Sequence, residues 1–269
     1  MEIRENVPLA PLTTFQIGGA ARYFTEAQDV DEIRAALAWA RERGMRQHII
    51  AGGSNLLIPD NGLNALVIKI ISPHVSSGVN GIIYGTSGGK QIPRTSGIIY
   101  DTTGNVIEAA AGCDLLEFIR ASAAAGMTGW EKMAGIPGTL GGAIRGNAGA
   151  FGTEIKDALT ECDALNIETD EVRTFTNVEC RFAYRTSFFK QHPEWVILSG
   201  RVGLTHGDRE VSERMAAETI AEREKRHIQN VRAAGSFFMN PVAPRKVQEL
   251  FEKEKNAKAR EGRVPAGWL

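Results

Sequence analysis

The chemistry in this sequence is concentrated where side chains are smallest. From Ala134 to Gly152 it reads AGIPGTLGGAIRGNAGAFG, seven glycines in nineteen residues. Glycine reaches positive φ at no steric cost and lets another molecule approach the main chain closely. Exposed N–H groups in such a loop can line an anion-binding concavity. Gly135-Ile136-Pro137-Gly138-Thr139 offers bare amides and one hydroxyl; Gly141-Gly142-Ala143 and Asn147-Ala148-Gly149 offer more. The stretch reads as a long loop, too polar and too broken for core. A second bend, Gly52-Gly53-Ser54-Asn55, places amides, a hydroxyl and a carboxamide directly after a short strand, a set suited to a diphosphate. On composition alone each bend is equally a plain turn between elements. Two phosphate-binding signatures are excluded. The dinucleotide fingerprint needs G-x-G-x-x-G, and the chain has no G-x-G. A Walker loop ending at Gly89-Lys90 would need glycine where Tyr84 stands and a hydroxyl where Gln91 stands.

Bulk properties narrow the class. The chain has 269 residues, 43% hydrophobic and 23% charged, with net charge −1, so one large domain or two modest ones with ample core are available. The near-neutral balance argues against a dedicated nucleic-acid binder. The start, MEIRENVPLA, lacks the apolar run of a secretory signal, and no stretch of about eighteen apolar residues suggests a membrane span. Cys113, Cys162 and Cys180 are dispersed, which fits structural thiols in a reducing compartment. His48, His74, His192, His206 and His227 show no metal-ligand spacing, so no metal is expected.

The elements that must hold the bends can be read in order. Residues 13–24 suggest short strands broken at Gly18-Gly19. Asp29-x-x-Glu32 predicts a capped helix with Val30, Ile33, Leu37 and Ala40 on one face and Gly44 as its stop. Strands are predicted at Gln47–Ile50 and Leu63–Ile71. Residues 73–97, dense in Ser, Gly and Pro, read as a surface insertion, a loop or loose hairpin. Ile98–Tyr100 and Val106–Ala110 read as a hairpin. Asp114-x-x-Glu117 opens a second helix with Leu115, Phe118, Ile119 and Ala123 inward and Gly126 at its end. Leu159–Ile167 and Val172–Phe175 predict another hairpin, and Trp195–Leu204 a strand. Asp208 to Arg226 predicts a charged helix with a thin stripe of Val211, Met215 and Ile220. A last helix begins with Pro244 at its first position and buries Val247, Leu250 and Phe251. Glu252 to Arg263 reads as a solvated charge run. Hairpins mixed with helices argue α+β rather than a doubly wound parallel sheet.

Six stretches then add a different kind of information. They are Thr13-Thr14-Phe15-Gln16-Ile17-Gly18-Gly19, Ala51-Gly52-Gly53-Ser54-Asn55-Leu56-Leu57, the Ala134–Gly152 stretch, Tyr184-Arg185-Thr186-Ser187-Phe188-Phe189-Lys190, Gly235-Ser236-Phe237-Phe238-Met239-Asn240-Pro241, and Pro265-Ala266-Gly267-Trp268-Leu269. In this order they resemble the bacterial UDP-N-acetylenolpyruvoylglucosamine reductases, the MurB family, over nearly the whole chain. With Lys190 leading almost directly into the Trp195 strand, the chain is similar to the sub-type lacking an inserted tyrosine-bearing loop.

The resemblance implies an α+β fold. A two-subdomain, PCMH-type FAD cradle would cover residues 1–68 and 69–204, and a substrate-binding domain would occupy 205–269. That last domain would be incomplete, because no residue matches the family's C-terminal glutamate. The implied activity is NADPH-dependent, FAD-mediated reduction of an enolpyruvyl sugar nucleotide in cytoplasmic peptidoglycan precursor synthesis, by a monomer without nucleic-acid partners. A flavin-binding remnant without turnover, or another FAD oxidase or dehydrogenase, are the alternatives. The resemblance gives Gly52, Gly53, Ser54, Asn55 and Leu56 to the FAD pyrophosphate. It gives Gly135, Ile136, Pro137, Gly138, Thr139 and Gly142 to the isoalloxazine side. It makes Arg185 the group that stabilises enolate charge and Ser236 the proton donor to C2. Tyr184, Lys225 and Asn240 become substrate contacts. Met239 stands where the family often carries a basic residue.

Overall fold

A computed structural model describes residues 1–72, 83–87, 90–95, 98–100, 106–225, 232, 235 and 238–269, with the strands between 83 and 100 described by backbone alone. It divides into two units, Met1–Arg232 and Ala233–Leu269.

The first unit opens with β1 (Arg4–Pro8), which pairs antiparallel with β2 (Ala20–Ala27). Helix α1 (Val30–Glu42) leads to β3 (Gln47–Ile50) and then β4 (Leu63–Ile70). The sheet order is β1-β2-β4-β3, with β2 and β3 both parallel to β4. Ala65 to Ile68 of β4 are all buried, as a strand covered on both faces requires. Leu66 and Ile68 face the main core with Ile33, Leu37 and Ala40 of α1; Val67 faces a smaller cluster with Leu9, Phe24 and Ile58. The α1 cap forms as the spacing predicts: Asp29 accepts from the Glu32 amide. Its reciprocal bond shifts by one residue, Glu32 accepting from Gln28 N. Residues 13–19 do not extend the strand toward Thr13. Gly18 turns at φ +115°, and a β-carbon on Gly19 would stand 2.3 Å from the Asp60 carbonyl, so the chain is folded under the 59–62 turn.

The second sheet has seven strands, in the order β13-β12-β14-β8-β7-β6-β5, all antiparallel. They are β5 (Ile83–Ser87), β6 (Lys90–Thr95), β7 (Ile98–Tyr100), β8 (Val106–Ala110), β12 (Leu159–Asn166), β13 (Val172–Thr176) and β14 (Trp195–Gly203). The expected insertion therefore includes a hairpin, β5–β6, that extends this sheet; residues 73–82, 88–89 and 96–97 of it lie outside the described residues. Between β8 and β12 come α2 (Leu115–Ala124), β9 (Met127–Thr128), α3 (Leu140–Gly146) and the two-residue strands β10 (Gly149–Ala150) and β11 (Thr153–Glu154). After β13 follow a short helix α4 (Phe188–Gln191), then past β14 the strand β15 (Thr205–His206) and helix α5 (Arg209–Lys225). All four residues expected to line α2 are buried. Arg34 of α1 donates to Asp170 in the β12–β13 turn at 2.8 Å, tying the first sheet's helix to the second sheet. The three cysteines are free and buried, with the sulfurs of Cys162 and Cys180 3.7 Å apart. Burial pushes the Cys113 thiol up to about 12.

Two expectations are corrected here. The glycine-rich stretch is not all loop: it contains α3, whose Leu140, Ala143 and Ile144 are buried in the main core. Glycine is what lets this helix lie close, since a β-carbon on Gly141 would stand 2.7 Å from the Ala111 β-carbon. The stripe of α5 is also different. Of the three expected residues Ile220 packs against the main core, but Val211 and Met215 are 42% and 38% exposed, and the fully buried side is Ser212, Ala216, Thr219 and Arg223. Small residues win because α5 runs close against α2 and the 131–133 turn, where Ser212 Oγ donates to the buried Glu131 carboxylate.

Through these contacts α5 packs within the first unit, Met1–Arg232. The second unit is built around α6 (Arg245–Lys255) and a small core of Ala243, Phe251 and Val264 capped by Trp268. Pro244 stands just before α6, at its N-cap, and Leu250 is 57% exposed instead of buried. No helix of the described residues is long and apolar enough to cross a membrane.

Candidate functional site

The first bend leaves β3 and turns at Gly53, φ +63°. Only glycine fits there, because a β-carbon would stand 1.9 Å from the Leu12 carbonyl oxygen. The Gly53 carbonyl accepts from Thr14 N at 3.3 Å, which faces the carbonyl inward. Among the described residues the amides of Gly52, Gly53, Ser54 and Asn55 donate to no protein acceptor. Four such amides in a row, half of them exposed, leave a donor set that a ligand can satisfy.

The second bend is held from below. Leu115 N donates to Gly138 O and Leu140 N to Cys113 O, so residues 138–140 are anchored to the start of α2. Asp114 caps α2 and Thr139 caps α3, its hydroxyl accepting from Gly142 N at 3.4 Å. Thr139 and the Gly142 amide therefore serve the helix. The exposed Pro137, the half-buried Ile136 and Gly138 with φ +113° form the rim of the bend.

The two bends meet. A β-carbon on Gly52 would lie 2.8 Å from the Gly138 α-carbon, and one on Gly138 would lie 2.5 Å from Ser54 Oγ. Residues 86 positions apart thus form one main-chain cradle in which side chains have been cleared at the point of contact.

Arg185 stands at the far end of the same stretch. It adopts φ +56°, and its Nη2 donates to Gly149 O at 2.8 Å. The buried Asn147 links the two segments: its side chain donates to Ala183 O and to Glu154, and accepts from Lys156 N. Ser187 Oγ donates to Arg145 O. Lys190 Nζ donates to Arg185 O, and the Arg185 guanidinium lies 5.5 Å from the Tyr184 ring. The turn carrying Tyr184 and Arg185 is consequently fixed to the glycine-rich stretch at three points.

The remaining expected residues lie in α5 and beyond it. Lys225 is exposed at the end of α5. The buried cation of that helix is Arg223, whose Nε donates to Gly135 O at 3.1 Å and whose pKa burial lowers. Asn240 holds the second unit together, its Oδ1 accepting from Ala266 N and its carbonyl from Arg263. Ser236 lies outside the described residues. Sequence reasoning missed Asn147 and Arg223. The spacing of Ser212, Ala216, Thr219 and Arg223, which repeats every three or four residues, was the available signal for the latter.

Comparisons with known proteins identify the family. A family profile described as an FAD binding domain covers residues 75–176, which contain the second bend. Fold and cradle together define an FAD-binding protein of α+β class. A UDP-N-acetylenolpyruvoylglucosamine reductase from Solibacter usitatus is 30% identical over all of this chain and 78% of its own length. One from Pseudomonas putida is 37% identical over 89% of this chain and 71% of its own length. The crystal structure of the reductase (MurB) from Thermus caldophilus superposes with a TM-score of 0.67 at 25% identity, over 94% of this chain and 81% of that one. The chain belongs to the UDP-N-acetylenolpyruvoylglucosamine reductase family.

Proposed function

We propose that this protein is an FAD-dependent oxidoreductase that reduces the enolpyruvyl group of UDP-N-acetylenolpyruvoylglucosamine with NADPH, as a cytoplasmic monomer in peptidoglycan precursor synthesis. The observation that carries the reading is the contact between the Gly52–Asn55 and Gly138 bends, which clears main-chain donors for one extended ligand. The residues present fit FAD. The free amides of Gly52, Gly53, Ser54 and Asn55, with Leu56 beside them, would hold its diphosphate, and the rim of Gly135, Ile136, Pro137 and Gly138 would flank the isoalloxazine ring. FAD, when bound, supplies the hydride chemistry between NADPH and substrate.

The protein's own work is binding, charge and one proton. Arg185, charged at every working pH, would grip the substrate carboxylate with paired hydrogen bonds and stabilise the oxygen charge that develops as C3 takes a hydride. Its bond to Gly149 O leaves its other guanidinium donors for that task. Ser236 would deliver the proton to C2, and Tyr184 and Asn240 would contact the sugar nucleotide. Reconstitution tests the whole reading. Purified protein incubated with FAD and desalted should keep a flavin spectrum. It should also oxidise NADPH only when the enolpyruvyl sugar nucleotide is present, giving a product two hydrogens heavier. Protein that retains no flavin defeats the proposal.

A further inference from the structure

Two of the three cysteines share one place in the core. Cys162 of β12 and Cys180, in the turn after β13, are both fully buried in the cluster that holds Phe175 and Phe189, with their sulfurs 3.7 Å apart. Either thiol alone would read as core filling. In contact they are also a dithiol, and closing by about 1.7 Å brings the sulfurs to disulfide bond length. The two sides of the pair are not equally held. Cys162 lies within β12, paired with Phe175 of β13 on one edge and Gly200 of β14 on the other. Cys180 belongs to a surface turn, in which Val178 is 85% exposed and Arg181 has φ +46°. The hydrogen bond with Cys180, and then burial, raise the Cys162 pKa, so the closed core keeps that thiol protonated.

What a bond between them moves is the turn that carries Arg185. Cys180 N donates to Thr176 O, and Cys180 O accepts from Phe188 N at 2.7 Å. Inside that closure Ala183 and Thr186 exchange both main-chain bonds, so residues 180–188 form one loop with Tyr184 and Arg185 between its inner bonds. Because β12 is laddered on both edges, the displacement falls on Cys180 and so on the base of this loop. We propose that Cys162 and Cys180 form a reversible disulfide site, closed by a peroxide, whose closure shifts the Arg185 turn and slows reduction of the substrate; the last clause rests on the functional reading above. Local opening of the 177–181 turn brings the Cys180 sulfur to solvent. Its thiolate attacks one peroxide oxygen: an S–O bond forms, the O–O bond breaks, and the departing oxygen leaves as water with the thiol proton. The Cys162 sulfur then attacks the sulfenic sulfur: the S–S bond forms, the S–O bond breaks, and a second water leaves with the Cys162 proton. Two electrons pass from the sulfur pair to the peroxide, and a dithiol reductant restores both thiols.

The test treats FAD-reconstituted protein, free of NADPH, with hydrogen peroxide, and then alkylates it unfolded. Wild type should lose two of its three reactive thiols, yield a peptide pair joined through Cys162 and Cys180, and keep Cys113 free. Its kcat/KM for the enolpyruvyl sugar nucleotide should fall roughly tenfold or more. Flavin reduction by NADPH should be unchanged, and dithiothreitol should restore the lost activity. Cys162→Ala and Cys180→Ala should each keep their activity through peroxide treatment, so one folded variant suffices. Three intact thiols after treatment, Cys180 driven to sulfinic acid without a partner, or a joined pair with unchanged kcat/KM overturns the proposal. So does an equal loss in Cys162→Ala, which would place the lesion elsewhere. Untreated wild type that turns over no substrate would bring down the functional reading, and the switch with it, although joined peptides would still establish the disulfide site.

Discussion

Gly52→Ala is the most direct perturbation of the cradle. The added methyl carbon would sit 2.8 Å from Gly138 Cα and 3.2 Å from the Gly138 carbonyl carbon. Both obstacles are main chain, so no side-chain rotation relieves the contact, and the two bends must separate by several tenths of an ångström. Overpacking of this kind costs about 1–3 kcal/mol. If that energy is released when the bends part, the loss appears in ligand binding, because the free amides and the ring-side rim no longer reach one ligand together. At about 1.4 kcal/mol per factor of ten, FAD affinity should fall roughly five- to 150-fold. The assay is fluorescence quenching of FAD titrated with apoprotein, read beside the apoprotein melting temperature. Gly146→Ala is the control: it lies in the same stretch, its β-carbon meets nothing within 4 Å, and its φ is unremarkable. Wild-type FAD affinity in Gly52→Ala, or an equal loss in Gly146→Ala, would refute the claim that the two bends form one binding surface. A lowered melting temperature with unchanged affinity would refute it as well, by confining the contact to stability.

Three further outcomes are expected. Asn147→Ala removes three hydrogen bonds at a buried residue with φ +43°, and should cost roughly 1–3 kcal/mol for each main-chain group left unpaired, read as a lower denaturation midpoint. Because Asn147 also steadies the Arg185 turn, the folded fraction should show a raised KM for the sugar nucleotide. Arg185→Lys trades a planar fork for a point charge; kcat/KM for the enolpyruvyl substrate should drop roughly ten- to hundredfold, while flavin reduction by NADPH in single-turnover mixing stays unchanged. Glu179 is held below the usual carboxylate range, chiefly by the hydrogen bond from Thr176 N and then by the Thr176 hydroxyl. A depressed folded-state pKa contributes stability above the unfolded value and loses it as pH falls through the folded one. Wild type should therefore lose stability below its ordinary value of 4.5, and Glu179→Gln should flatten that acid limb in pH-dependent melting curves.

Local physics was legible in the chain, and contacts between distant segments were not. Asp29 and Asp114 announce their helices because a cap involves residues two or three apart, and both caps form. The β12–β13 hairpin and the long strand β14 follow from alternation and turn residues in the same way. The fold class and the two glycine bends were likewise visible as composition and order.

What the chain alone left open depended on close approach. α3 forms inside a glycine-rich stretch of poor helix propensity because Ala111 packs directly on Gly141, and the tertiary gain outweighs the local cost. α5 exposes Val211 and Met215 and buries Ser212, Ala216 and Thr219 beside Arg223, since small side chains let it approach α2 and the 131–133 turn closely. Sequence supplied the cradle's parts: glycines that remove steric bulk and amides that await a ligand. Only the folded chain set Gly52 on Gly138, Arg185 on Gly149 and Arg223 on Gly135, because packing distances between remote segments are not encoded in local spacing.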